Sequence, residues 1–113
     1  MNKEDLEKNI LILKNSQKID DLFLCIRYLI ELNDENKFNE FIEEKKSVLL
    51  KADPIKFIGY HIDFYVCHER YLESLNLLHF YQEVYFQPKY LSNNLILSHQ
   101  NELCLINFQV LVV

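Results

Sequence analysis

His61, Cys67 and His68 are the closest set of side chains in this chain that could ligate a metal or carry nucleophilic chemistry. Spacing weakens the set at once. His61 and His68 share one helical face but lie two turns apart, about 10.5 Å along the axis. Two ligands of one zinc ion each sit roughly 2 Å from it. Cys67 and His68 are adjacent, so on a helix they point in different directions. A metal site would need helpers such as Asp63, Glu69 or His79. A Cys–His nucleophile requires only that any His approach a Cys in space, but no Gly-rich oxyanion loop accompanies these residues. Carboxylates pair at Asp20-Asp21, Asp34-Glu35 and Glu43-Glu44. They fall at expected helix starts, turns and lysine-flanked faces, where solvation and helix electrostatics account for them. With a single Gly, the chain can build neither a dinucleotide-binding glycine motif nor a P-loop. No catalytic residue, cofactor or metal ligand is therefore assigned.

The aromatic residues are a second candidate. Ten of them crowd into residues 53–90, between Asp53-Pro54 and Gln87-Pro88. Tyr60, Tyr71, Tyr81 and Tyr85 are the candidate partner-binding side chains. Tyrosine is favoured at binding surfaces because it covers much area at little entropic cost. The competing reading is that the same rings fill the core of a domain with one Ala, with Tyr hydroxyls reaching the surface. Sequence does not separate the two.

The elements that must position these residues are helical. A chain of 113 residues is long enough for one domain with a real core. Its net charge of −5 disfavours a nucleic-acid partner. Cations are scarcest where the aromatics lie. Three cysteines with no CxxC fit reduced thiols in a cytoplasmic protein. The charged N-terminus is unlike a secretory signal, and no apolar run is long enough to span a membrane.

Asn2 is placed to cap a first helix with Leu6, Ile10 and Leu13 on its apolar face. A second runs from about Ile19 to Leu32. A third, from about Lys37 to Lys51, turns Phe38, Phe41, Ile42, Val48 and Leu49 inward. Asp53 caps a fourth, with Pro54 at its first position. It runs to about His68 or Arg70, with Lys56, Asp63 and Arg70 as its only polar stripe. A fifth spans about Tyr71 to Gln87, with Leu72, Leu75, Leu78, Tyr81 and Tyr85 on one side. Lys89 to about Leu105 reads as a sixth. The uncharged tail at 103–113 suits a helix end, an extended arm or an incomplete unit. The expectation is one all-α domain of five to six antiparallel helices.

Asp53-Pro54 and Gln87-Pro88 are separated by the 34-residue period of tetratricopeptide repeats. Phe23, Phe57 and Leu91 recur at the same interval, as do Tyr28, Ile62 and Ile96. On these residues the chain resembles a divergent tetratricopeptide-like (TPR-like) helical-repeat protein of the kind found in low-GC bacteria. In that alignment Tyr65 and Tyr71 take the pattern's aromatic positions, Leu78 its large apolar position and Ser74 a small one. Ile62 and Tyr81 stand at other small positions, and Phe41 stands where Ser74 would predict a small residue. The resemblance implies a right-handed solenoid fragment acting as a scaffold or adaptor for a protein or peptide. An irregular helical bundle is the alternative architecture. Two other functions remain open: self-association through residues 103–113 as a homo-oligomer, and a small metal protein or enzyme built on His61, Cys67 and His68.

Overall fold

The computed structural model of the chain describes residues 1–84. The described residues form five α-helices and no strand: α1 (Lys3–Leu13), α2 (Ile19–Leu32), α3 (Glu35–Ala52), α4 (Pro54–Cys67) and α5 (Tyr71–Val84). The all-helical expectation is met. The sixth helix and the apolar tail expected from the sequence lie outside the described residues. The chain divides into two compact units, Met1–Phe64 and Tyr65–Val113.

In the first unit, three helices start on short polar side chains that answer otherwise unpaired N–H groups. Asn2 accepts from the Asp5 N–H at 2.8 Å, Asp34 from Lys37 at 3.2 Å and Asp53 from Lys56 at 3.1 Å. Asp53 also closes the preceding helix, its own N–H donating to the Leu49 carbonyl at 3.0 Å. One residue thus ends α3 and begins α4, with Pro54 at the first helical position, where a missing N–H costs nothing. Lys18, at the head of α2, has no such side-chain cap. Ser16 braces that turn instead, accepting from the Lys18 N–H and donating to Asp21. Asn33 ends α2 in the left-handed region at φ 58°. Asn tolerates that region better than most residues, and its N–H reaches the carbonyls of Leu29 and Ile30.

These caps set short connections, so α1 packs on α2 and α2 on α3. Leu6 and Ile10 of α1 meet the apolar stripe Leu22, Cys25, Ile26 and Leu29 of α2, and all six are buried. The Cys25 thiol donates to the Ile10 carbonyl at 3.9 Å. Burial pushes that thiol up to about 11, with Lys14 and Lys45 offsetting only part of the effect.

Aromatic side chains bring α4 into the same core. Phe38 of α3 stacks on Phe64 with ring centroids 4.3 Å apart. Phe23 of α2 meets Tyr60 at 6.0 Å. Phe57, Ile58, Ile62 and Phe64 are all buried, as expected for a helix with so narrow a polar stripe. Lys56, the first member of that stripe, lies with its ammonium 4.7 Å from the centre of the Phe23 ring.

The third helix departs from expectation at two points. It starts at Glu35, two residues earlier than expected, because Asp34 supplies the cap. Val48, expected to face inward, is 49% exposed. The inward stripe is carried by Phe38, Phe41, Ile42 and Leu49, and Val48 falls off it.

The described part of the second unit begins at the end of α4. Arg70 N–H donates to the Tyr65 carbonyl at 2.8 Å and Glu69 N–H to Val66 at 3.1 Å. This is the paired hydrogen-bond pattern of a Schellman helix end. Glu69 holds the left-handed position at φ 61°, where glycine is usual. Side-chain contact across such an end is normally apolar. Here the Arg70 guanidinium lies over the Tyr65 ring at 5.0 Å and also pairs with Glu73. In α5 the buried residues are Ser74, Leu78 and Tyr81, spaced i, i+4, i+7. Leu72, expected on that apolar side, is 72% exposed; it lies two residues before Ser74, off the buried stripe.

Candidate functional site: a groove between the first and third helices

The histidine and cysteine residues considered from the sequence fall in different units, His61 in the first and Cys67 and His68 in the second. Among the described residues no three His, Cys, Asp or Glu side chains gather as they would around a metal ion. His61 sits half-buried between two aromatic rings, 5.9 Å from Phe38 and 6.0 Å from Phe57. Burial pulls it down to about 4, and the positive charge of Lys46 adds to the effect. It is therefore a neutral ring near pH 7. Cys67 is exposed, in the last turn of α4. Asp63 is half-buried, and burial raises its carboxyl above the usual range. These are the effects of packing on polar groups at the edge of an aromatic core.

Of the four candidate tyrosines, Tyr60 belongs to the first unit and Tyr71 and Tyr81 to the second. Tyr60 is half-buried against Phe23 in the first unit. Tyr71 is half-buried at the start of α5. Tyr81 is only 1% exposed, so in this fold its ring is not offered to a partner. It occupies the buried stripe of α5 with Ser74 and Leu78, which the i+4, i+7 spacing requires. Tyr85 lies outside the described residues.

A concave feature of the first unit lies elsewhere. A cleft of about 230 Å³ opens between α1 and α3 over α2. Glu7, Ile10, Leu11 and Lys14 form one wall, Lys37, Glu40, Phe41 and Glu44 the other, and Leu29 and Leu32 the floor. Each wall follows i, i+3, i+4, i+7, which is one face of a helix over two turns. The two walls are offset by a constant 30 residues in sequence. That constant offset means that matching turns face each other across the cleft. At one end Glu7 and Lys37 meet at 4.0 Å, and Lys3 also reaches Glu7 at 4.0 Å. These are surface pairs and add little stability; with two lysines on one glutamate, that end is left net positive.

The middle and far end are different. Leu11 is 59% exposed and lies beside Phe41 and Ile10 in the lining. Glu40 and Glu44 are exposed on the α3 wall, and Lys14 stands at the C-terminal end of α1. The groove is thus apolar along its floor, shut by an ion pair at one end and charged at the other. A second, more polar hollow is lined by Lys3, Leu32, Asn33, Asp34, Glu35 and Asn36. It is formed largely by the turn between α2 and α3 and its capping side chains.

Sequence reasoning placed Leu6, Ile10 and Leu13 on the apolar face of α1 and missed Leu11. The signal was present, because Leu11 and Ile12 add apolar side chains beyond what one packed face uses. Both are exposed. What the sequence does not give is the pairing of α1 with α3 across the intervening helix. Compared with models of protein families, with curated proteins and with solved structures, the chain matches none.

Proposed function

We propose that this chain is a non-enzymatic binding module, a TPR-like stack of helical hairpins that holds a protein or peptide partner. The observation that carries this reading is the groove between α1 and α3, with its exposed Leu11 over an apolar floor. At about 230 Å³ it is smaller than ordinary small-molecule sites, which run from roughly 300 to 1,000 Å³. An apolar cavity of about 150 Å³ holds one benzene. The groove is therefore sized for one or two anchoring side chains of a larger partner. The repeat reading draws support from the 34-residue spacing of the two X-Pro steps and from the burial of Ser74. Ser74 donates its hydroxyl to the Tyr71 carbonyl at 2.7 Å, so a small residue is accommodated there without an unpaired polar group.

The binding site in this proposal differs from the aromatic face expected from the sequence. Tyr81 is core, and the exposed apolar side chains of the groove are aliphatic. The test is selection of peptides from a displayed random library on the immobilised chain. Enriched peptides should share apolar anchors and should lose about tenfold in affinity against Leu11→Gln, as expected for removing one apolar contact. Absence of enrichment, or binders indifferent to Leu11→Gln, would overturn the reading.

A further inference from the structure

We draw no further inference here: the strongest candidate, the charged open end of the groove between α1 and α3, belongs to the site already described, and with Glu44 paired to Lys45 at 3.7 Å and Lys14 standing at the same end nothing among the described residues shows what covers it.

Discussion

In the first unit, α1 and α4 use their apolar side chains in opposite ways. The α4 segment Pro54–Phe64 is loaded with aromatics and turns both of its phenylalanines inward. Phe57 and Phe64 are buried, and even His61 is held between phenyl rings. Helix α1 is mostly polar, yet it leaves Leu11 and Ile12 in solvent. Aromatic density marks the part of the chain with the greatest need of cover. A few aliphatic residues outside the packed stripe of a polar helix mark the surface that is presented. The informative surface feature is therefore the exposed apolar residue that the fold has no use for.

The strongest way to break this contrast is to attack the aromatic side of it. Phe38→Ala removes a fully buried ring stacked on Phe64. It should destabilise the chain by about 3 to 5 kcal/mol, a large share of a total of roughly 5 to 15 kcal/mol. Urea unfolding followed by circular dichroism measures it. A loss under about 1 kcal/mol would show that these rings are not the core.

Acid should find the same region next. His61 has its pKa lowered from 6.5 to about 4, so the unfolded chain binds the extra proton first. The stability contributed by the neutral ring is complete above pH 6.5. It is lost as pH falls toward 4, with no further loss from this group below that. The effect is on the order of 1 to 3 kcal/mol. Asp63, raised by burial, acts in the opposite sense: its contribution is present below 3.8 and fades as pH rises through its folded value. Urea midpoints measured from pH 7 to 4 should therefore fall, and His61→Gln should flatten that slope. An unchanged slope would place His61 outside the packed region.

Backbone positions give smaller effects of the other sign. Gly59 lies within α4, and a Cβ built there meets nothing within 4 Å. Gly59→Ala should stabilise by about 0.8 to 1 kcal/mol. Glu69→Gly, at the left-handed helix end, should gain about 1 kcal/mol by relieving a conformation that non-glycine residues disfavour. Thermal melts check both, and a destabilised Gly59→Ala would reveal a close approach to α4. Least change in stability is expected on the presented side. Leu11→Gln should alter the melt by less than about 0.5 kcal/mol while removing peptide binding. A large loss of stability would return Leu11 to the core and dissolve the contrast.

Much of the framework was legible because it is local. Asn2, Asp34 and Asp53 act as caps through hydrogen bonds spanning three residues, and Pro54 marks a helix start wherever it stands. The span Ile19–Leu32 follows from its apolar stripe and its polar flanks. Sidedness was harder wherever a helix offers more apolar residues than one packed face can use. Val48, Leu72 and Leu11 each lie beside a buried stripe, and only the neighbouring helices decide where that stripe ends. Tyr81 shows the same ambiguity from the other side. A ring suited to either core or surface was buried once Ser74 and Leu78 fixed the inward line of α5. The groove was not legible at all, because its walls come from helices about 30 residues apart, and no local rule brings them to the same height.

Cys25 has one more consequence. Its sulfur is fully buried, donates to Ile10, and is held far from ionisation near pH 7. Thiolate is the species that reacts with alkylating agents, so in the closed fold this residue is doubly shielded. Its modification requires that α1 lift from α2. In a variant with Cys67 and Cys104 changed to serine, the slow rate of alkylation becomes a clock for the separation of those two helices. Any occupant that clamps α1 against α3 should slow that clock.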